Sequence, residues 1–226
     1  MTFRRLFMPS LLNTGPLCQE VLAVRDGPVN FYVVRGTNGL CCFDTGWRAA
    51  QVLRSFDALG LDVADVVAVF LTHLHWDHAR CHVLYRNARI YVGARESSGL
   101  FSMKPGRSAQ SWVLVQEGEL ISVTGRRVRV LATPGHTVGS VSYLVDDRQL
   151  FTGDALRLRR DEVITFWPRL IGDRQAMTRS IQKLAQLQNV ERLLTAHTGA
   201  TTEVASAFRR WQTPAQRLSP QEGTHA

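Results

Sequence analysis

The sequence predicts an α/β fold with a chemical site at the ends of its β-strands. Short apolar runs of strand length alternate along the chain with amphipathic segments of helical periodicity. Several of these runs end in a tight turn that carries a His or an Asp side chain. The loops beyond the carboxyl ends of strands are where α/β folds place their binding and catalytic groups. With 226 residues, the chain is long enough to bury a core on both sides of a sheet sandwich.

The N-terminal third predicts three strands and one helix. The runs "VNFYVVR" (29–35) and "LCCFD" (40–44) are typical of strands, and the turn "GTNG" joins them. Residues 48–59 carry apolar side chains at helical spacing and are followed by Gly60, which favours the end of a helix. The continuous apolar run "VVAVFL" (66–71) then indicates a buried strand.

The rest of the chain continues this alternation. "RIYVGA" and "VRVLAT" predict strands, and "GSVSYLVDDRQLFTGD" predicts a hairpin with an Asp-Asp turn. Asp173 is expected to cap a helix that runs to about Gln188, and "TTEVASAFRRWQ" predicts a short closing helix. The segment 96–112 is expected to be a long loop, of a kind that is usually functional or mobile. We therefore expect a single domain over 1–212, followed by a flexible C-terminal tail over 213–226.

The stretch "LTHLHWDHAR" (71–80) contains three histidines and an aspartate, and it begins where the buried strand is expected to end. Neutral imidazole and carboxylate groups are the usual ligands of zinc and similar divalent ions. Without a metal, several of these groups would be left unpaired in the interior, at a cost of roughly 1–3 kcal/mol each. The stretch therefore predicts a metal site formed by His73, His75, Asp77 and His78.

Three later segments repeat the pattern of an apolar run, a tight turn and one side chain that can bind a metal. These side chains are His136, Asp154 and His197. A glycine close to each of them fits a backbone that turns sharply or approaches another group closely. Each segment alone is weak evidence, but together they predict three further ligands.

These segments resemble the metallo-β-lactamase fold superfamily of metallohydrolases. The resemblance covers about residues 30–197 and rests on the motifs "FDTG", "THLHWDH", "TPGHTVGS", "TGDAL" and "AHTG". It implies a four-layer αββα sandwich with a two-metal site at its edge. After His78 the sequence departs from the family, because it has Ala79, Arg80 and Cys81 where many members have glycines. Arg80 is expected to face solvent.

Seven side chains match the family's ligands, and the resemblance implies their roles. The first metal would be held by His73, His75 and His136, the second by Asp77, His78 and His197, and Asp154 would bridge the two. Two Zn²⁺ ions are expected first, and iron or manganese also suits these ligands. Asp44 is expected to support the ligand loops by hydrogen bonding, although an Asp in "DTG" is equally typical of an ordinary turn.

The resemblance implies a binuclear metal-dependent hydrolase. Two ions about 3.5–4 Å apart can share one hydroxide, which supplies a nucleophile at neutral pH, and one ion can polarise the substrate. Asp77 is expected to be catalytic as well as a ligand, because its carboxylate can hold the attacking hydroxide and later accept a proton. The expected substrate is a small molecule with an ester, thioester, lactone or phosphoester bond.

Two other functions stay open at this point. Persulfide dioxygenases share many of these ligands but use a single iron, and a non-catalytic metal-binding sensor would need the same residues. Three branches of the family are disfavoured. β-Lactamases lack the bridging Asp, and glyoxalase II has a glutathione-binding C-terminal region that this chain is too short to contain. Lactonases have a Tyr after the bridging Asp, where this chain has "ALRLRRDE".

Four aromatic side chains are candidates for the substrate pocket, because each neighbours a predicted site loop: Trp47, Trp76, Phe166 and Trp167. Trp76 lies between two predicted ligands and is expected to be close to the metals. The other three are explained as readily by ordinary packing.

The composition limits the expected partners. The formal net charge of +8 is compatible with an anionic partner, but the basic residues are scattered and are not interleaved with aromatic residues. We therefore expect a small-molecule substrate and no nucleic acid. No apolar stretch is long enough to span a membrane, and the N-terminal residues lack a signal-peptide pattern. None of the four cysteines matches a ligand position, so we expect reduced thiols in a cytoplasmic protein.

Overall fold

Two β-sheets lie face to face in the computed structural model, which describes residues 11–96 and 111–212. Helices cover the outer face of each sheet. The predicted αββα sandwich is therefore confirmed. The predicted C-terminal tail and most of the predicted loop at 96–112 lie outside the described residues.

The strands of residues 11–96 and 111–212 fall into two large sheets and one small hairpin. The first sheet has seven strands, which neighbour one another in chain order: β1 (Gly15–Pro16), β2 (Val21–Asp26), β3 (Val29–Arg35), β4 (Leu40–Phe43), β5 (Val66–Leu71), β6 (Arg89–Gly93) and β7 (Trp112–Val115). The second sheet contains β8 (Leu120–Val123), β9 (Arg126–Ala132), β10 (Val141–Val145), β11 (Gln149–Phe151), β14 (Arg192–Leu194) and β15 (Ala200–Thr201). Its spatial order is β15-β14-β11-β10-β9-β8. The hairpin consists of β12 (Arg157–Arg159) and β13 (Glu162–Ile164).

Four α-helices accompany the sheets in the described parts of the chain: α1 (Ala49–Ala58), α2 (Trp76–Ala79), α3 (Arg174–Leu184) and α4 (Val204–Ala207). The helix predicted from Asp173 begins as expected, because the Asp173 carboxylate accepts a hydrogen bond from the Ala176 amide at 2.9 Å. It ends earlier than predicted. Beyond Leu184 the amides of Gln186 and Leu187 bond to carbonyls three residues back, so the chain continues in tighter turns. No helix among the described residues has the length and apolar character to cross a membrane.

Alternation of side chains along the strands creates three apolar layers. Leu22 and Val24 of β2 face the layer that contains Phe56 of α1, whereas the alternate residues Val21 and Ala23 face the second sheet. Between the sheets, the rings of Phe43 and Phe151 stack with their centroids 4.0 Å apart. On the outer face of the second sheet, α3 buries its apolar side chains Met177, Ile181 and Leu184.

The strand directions bring the predicted site loops to one edge of the sandwich. Strands β4, β5 and β6 run parallel, so the segments that follow them leave the first sheet at the same edge. In the second sheet β11 runs parallel to β14, and β9 and β11 both run antiparallel to β10. The segments after β9, β11 and β14 therefore also leave their sheet at one common edge.

Candidate metal centre

The seven predicted ligand side chains converge into two groups. The first group contains His73, His75, His136 and Asp154, and the second group contains Asp77, His78 and His197. Within each group, the atoms that could bind a metal all lie within 4.8 Å of one another. The first sheet supplies the cluster after β5, and the second sheet supplies the other three side chains.

The Asp154 carboxylate lies between the two groups. Its Oδ2 atom faces the first group, at 3.2 Å from His136 Nε2 and 3.9 Å from His73 Nε2. Its Oδ1 atom faces the second group, at 3.4 Å from His78 Nε2 and 3.3 Å from His197 Nε2. One carboxylate therefore presents one oxygen to each group, which is the arrangement that a bridging ligand requires.

Hydrogen bonds on the outer side of the imidazole rings fix their orientation. His136 Nδ1 donates to the Leu170 carbonyl at 2.6 Å, and His197 Nδ1 donates to the Pro28 carbonyl at 2.7 Å. These bonds place the proton on Nδ1 and leave Nε2 available toward the centre of the site. His75 differs, because its Nδ1 atom lies 2.9 Å from His136 Nε2 and so faces the site itself.

Asp44 fixes the ring of His78 and the end of β5. One carboxylate oxygen lies 2.8 Å from His78 Nδ1, and the other accepts the Thr72 amide proton at 2.8 Å. The Thr72 hydroxyl also donates to this carboxylate, and it lies 3.1 Å from His73 Nδ1. Asp44 therefore connects, directly or through Thr72, one histidine of each group.

The buried polar atoms of the site fit a bound cation. His73 Nε2, His78 Nε2 and Asp154 Oδ1 are buried and make no hydrogen bond. A buried acceptor without a partner is destabilising, and a metal ion relieves this because it binds the same lone pairs. Imidazole and carboxylate are also a chemically suitable donor set for a divalent ion. The residues present therefore fit the metal that the predicted ligand set requires.

Two glycines allow the backbone to reach the site, as the sequence analysis expected. Gly153, which precedes Asp154, has φ +50°, and a Cβ atom there would lie only 2.3 Å from Thr72 Oγ1. Gly135, which precedes His136, has φ +144°, and a Cβ atom there would lie 2.5 Å from the Met177 Cα atom. Side chains at these positions would displace the ligand loops.

The histidines of the first group have lowered pKa values. Burial and the neighbouring histidines His78 and His136 hold the pKa of His73 well below its usual range. The same effects lower the pKa of His75 to about 4, and burial lowers that of His136. These three rings are therefore neutral, as a metal requires of its imidazole ligands.

Carboxylates raise the pKa values of both histidines of the second group. Burial opposes a charge on His78, but Asp154, Asp77 and Asp44 raise its pKa well above the ordinary value. Burial likewise opposes a charge on His197, and Asp154 raises its pKa. Although Asp154 is buried, the histidines around it hold its own pKa well below the usual range. The bridging position therefore carries a negative charge.

Only two of the four predicted pocket aromatics pack on a predicted ligand. The rings of Phe166 and Trp167 each lie 5.8 Å from the His197 ring. Trp47 and Trp76 instead pack edge to face on each other at 6.3 Å. Trp76 is 44% exposed although it lies between two predicted ligands, so its ring is accessible beside the site.

Glu96 is a residue of this region that the sequence analysis missed. Its carboxylate accepts a hydrogen bond from the Leu74 amide, between His73 and His75, at 3.0 Å, and another from the Thr137 hydroxyl, next to His136, at 2.7 Å. Glu96 therefore joins the two loops that supply the first group. It follows β6 at the same edge of the sheet as the metal cluster, and this position was the one sequence signal that pointed to it.

Comparisons with known proteins agree with this geometry. A family model described as the metallo-beta-lactamase superfamily matches residues 24–197. The chain is 34% identical over 154 residues to a hydroxyacylglutathione hydrolase of Synechococcus sp. (strain JA-3-3Ab), which covers 66% of this chain and 55% of that protein. It is 27% identical over 126 residues to the probable polyketide biosynthesis zinc-dependent hydrolase BaeB of Bacillus velezensis, which covers 54% of this chain and 52% of that protein. The chain thus spans about half the length of these relatives.

A solved structure shows the same fold. The metallo-beta-lactamase family protein TTHA1429 from Thermus thermophilus superposes with a TM-score of 0.66 at 21% sequence identity. The superposition covers 86% of this chain and 79% of that one.

Proposed function

The chain belongs to the metallo-beta-lactamase superfamily of metallo-hydrolases, and we propose that it uses two divalent metal ions to hydrolyse an ester, thioester, lactone or phosphoester bond of a small molecule. The observation that carries this proposal is the position of Asp154, which presents one oxygen to each of two groups of ligand atoms. A single-metal site would need only one of these groups.

The proposed ligands follow from the two groups. His73, His75 and His136 would hold one ion, Asp77, His78 and His197 the other, and Asp154 both. Zinc is the first choice, because the donor set suits it and BaeB is named as zinc-dependent. When bound, such ions lower the pKa of a water molecule toward neutrality and polarise the scissile carbonyl or phosphoryl group.

Asp77 is the proposed catalytic side chain. Its Oδ2 atom lies 3.6 Å from His78 Nε2 and 3.5 Å from His197 Nε2, so the carboxylate reaches the second group. Its side chain is 31% exposed, whereas that of Asp154 is almost fully buried. Asp77 is therefore the carboxylate that substrate and solvent can approach. We assign its carboxylate the orientation of the attacking water and the later acceptance of a proton.

The remaining residues hold this arrangement in place. Asp44 and the carbonyls of Leu170 and Pro28 fix the imidazole rings from behind. Phe166 is buried between His136 and His197 and excludes water from that side of the centre. A thioester is the first substrate class to test, because the Synechococcus relative is named for hydrolysis of hydroxyacylglutathione, which is a thioester.

The test begins with metal content. The protein, purified without added metal and then loaded with zinc, is expected to hold two ions per chain by elemental analysis. His136→Ala and His78→Ala should each lose about one ion. His82→Ala is the matched control, because His82 lies outside both groups, and it should keep two.

Activity is measured on the same samples with a panel of generic thioesters, esters, lactones and phosphodiesters. At least one class should be hydrolysed in proportion to the metal content. A zinc-loaded protein with two ions and no hydrolysis of any class would contradict the proposal, and this result would favour a metal-binding sensor. A protein that holds one iron and consumes oxygen with a persulfide would favour the dioxygenase.

We also propose that the protein works in a reducing compartment such as the cytoplasm. Cys41, Cys42 and Cys81 are buried, Cys18 is partly buried, and none of the four forms a disulfide. Four thiols should therefore react with a thiol reagent when the protein is denatured without reductant. Recovery of a disulfide from the native source would contradict this location.

A further inference from the structure

The turn between β2 and β3 lies against the loop that carries His197. The Pro28 carbonyl in this turn accepts the hydrogen bond from His197 Nδ1 at 2.7 Å. Two residues later, the Asn30 amide donates to the Ala196 carbonyl, also at 2.7 Å. The position of this turn therefore determines how the ring of His197 is held.

The segment 44–48, which leads from β4 to α1, holds the other histidine of the second group. A carboxylate oxygen of Asp44 lies 2.8 Å from His78 Nδ1. The amide and the hydroxyl of Thr45 both donate to the His78 carbonyl at 2.7 Å. The segment therefore fixes His78 at its ring and at its backbone. Because His78 follows a strand of the first sheet and His197 a strand of the second, the turn and the segment must keep a fixed relation to each other.

The carboxylate of Asp26 joins the turn to this segment. Asp26 is the last residue of β2, and its side chain is fully buried. Its Oδ2 atom accepts the amide protons of Trp47 and Arg48, both at 2.8 Å. Its Oδ1 atom accepts the proton of the Arg48 guanidinium Nε at 2.6 Å. These bonds attach the turn that contains Pro28 to the segment 44–48.

Gly46 allows this carboxylate to approach the segment. It has φ +72°, and a Cβ atom there would lie only 2.8 Å from Asp26 Oδ2. Burial of a carboxylate is destabilising unless hydrogen bonds and an opposite charge compensate for it, and a buried ion pair seldom adds stability over apolar side chains of the same size. A positional role therefore explains the buried Asp26 better than a gain in stability does.

We propose that Asp26 is a positioning residue of the second ligand group, because it holds the Pro28 carbonyl where that carbonyl orients the ring of His197. The inference rests on the proposed function, since it takes His197 as a ligand of the second metal. Asp26 belongs to neither ligand group and acts through the turn and the segment 44–48. Its loss should weaken binding of the second metal and spare the first, whose ligand loops are joined by Glu96.

The zinc affinity of each group is measured separately, by competition with a zinc-binding dye. The His136→Ala variant keeps the second group intact, and the His78→Ala variant keeps the first. Added to His136→Ala, the change Asp26→Ala should lower the zinc affinity by at least about tenfold, the low end of the range for residues that support metal ligands. Added to His78→Ala, it should change the affinity by no more than about twofold, as expected of an independent site.

Two further variants test the role of the carboxylate. Asp26→Asn should recover part of the lost affinity, because one amide oxygen can still accept the two backbone protons. Asp62→Ala is the matched control. The exposed Asp62 carboxylate accepts the Ala64 amide proton at 2.8 Å in the connection between α1 and β5, away from both ligand groups. Its removal should change neither affinity.

The ring of His197 supplies a readout that a general loss of stability would not reproduce. In zinc-saturated protein with nitrogen-labelled histidine, NMR reports the Nδ1 proton that is bonded to Pro28. In Asp26→Ala this proton should move upfield and exchange faster with water, because its hydrogen bond weakens. The Nδ1 proton of His136, which is bonded to the Leu170 carbonyl, should not change and serves as the internal control.

The outcomes separate this inference from the proposed function. An unchanged affinity of the second group, an equal loss in both groups or an unmoved His197 proton overturns the inference, even if hydrolysis is observed. So does a His136→Ala protein that binds no zinc, because the second group would then hold no metal. If Asp26→Ala does not fold, Asp26→Asn carries the same test, with a smaller loss expected in the second group alone. A selective loss of the second metal, in a protein that hydrolyses no ester or thioester, supports the inference and overturns the proposed function.

Discussion

Asp44 shows, at the scale of one residue, how the site is held in a conformation that the backbone alone would avoid. Its φ angle is +62°, in the left-handed region that is unfavourable for a residue with a Cβ atom. Such a conformation costs on the order of 1 kcal/mol and persists only where surrounding contacts determine it. Here the contacts are the hydrogen bonds to Thr72 and to the ring of His78. The strain is therefore offset by bonds that orient a proposed metal ligand.

Asp77 can be tested by a substitution that keeps its shape and removes its charge. If Asp77 positions the nucleophile and accepts a proton, a fully zinc-loaded Asp77→Asn variant should lose on the order of 10²-fold in kcat. The measurement is steady-state kinetics on samples of known metal content. If Asp77 only binds metal, the loss should follow the metal content and disappear in excess zinc. Near-normal turnover of the fully loaded variant would contradict the catalytic role.

The pKa values of the histidines predict the order in which the metals leave at low pH. The pKa values of His78 and His197 are raised, so these rings accept protons at a higher pH than the first group, in which the pKa of His75 is about 4. As the pH falls, protons should therefore displace the metal of the second group first. As the pH rises again, the first group should bind its metal before the second group does.

Equilibrium dialysis at constant free zinc, between about pH 7.5 and about pH 4.5, measures this order. We expect the metal content to fall from two ions to one within this range, and to fall to zero only at a still lower pH. In the His78→Ala variant the first of these steps should be missing. Loss of both ions from the native protein in one step would contradict the prediction.

At the scale of elements, the sequence predicted the ligands better than the surfaces around them. Each ligand follows an apolar strand and a turn, and these are local signals that a sequence displays directly. The β12–β13 hairpin was missed because its turn residues Arg160 and Asp161 both adopt positive φ without the glycine that usually marks such a turn. The contacts of Glu96 join segments that are distant in sequence, and its position after β6 is the one local signal of them.

Substitution of Glu96 tests how the two loops that supply the first group are held together. It accepts hydrogen bonds from the loop of His73 and His75 and from the loop of His136, so its loss should loosen the first group more than the second. Glu96→Ala should weaken binding of the first metal by about 10–100-fold, the range typical of residues that support metal ligands. Glu96→Gln should recover part of the affinity, because one amide oxygen can still accept a bond.

Competition with a zinc-binding dye measures both affinities in each Glu96 variant. Glu119→Gln is the matched control, because this exposed carboxylate accepts a hydrogen bond from the Gln116 amide in its own turn, away from both ligand groups. It should leave both affinities unchanged. An equal loss of affinity in both groups would indicate a general effect on folding and would contradict a specific role for Glu96.

At the scale of the whole molecule, the site depends on both sheets. The first sheet supplies the cluster from His73 to His78, and the second supplies His136, Asp154 and His197. The apolar layer between the sheets sets their separation, and it contains large rings such as those of Phe43 and Phe151. The sandwich itself was predictable from the alternating strands and the family resemblance. The distances between its two halves were not, because they depend on how these rings pack.

A metal bound between the two sheets should therefore stabilise the entire fold. Ligands that bind only the folded state add about 2.7 kcal/mol when present at a hundred times their Kd. For a domain of this size, such a gain corresponds to a rise in Tm of roughly 5–10 °C. Two such ions would contribute about twice this gain, so removal of both with a chelator should lower the Tm by roughly 10–20 °C, and added zinc should restore it.

Calorimetry on samples of measured metal content checks this expectation, and the His variants supply the controls. His78→Ala retains only the first group, so chelation should lower its Tm by a smaller amount than that of the native protein. His82→Ala should show the native shift from its own starting Tm, because His82 belongs to neither group. If chelation removes both ions and leaves the Tm unchanged, the two sheets are held together by their apolar layer alone, and the metals contribute to chemistry without contributing to stability.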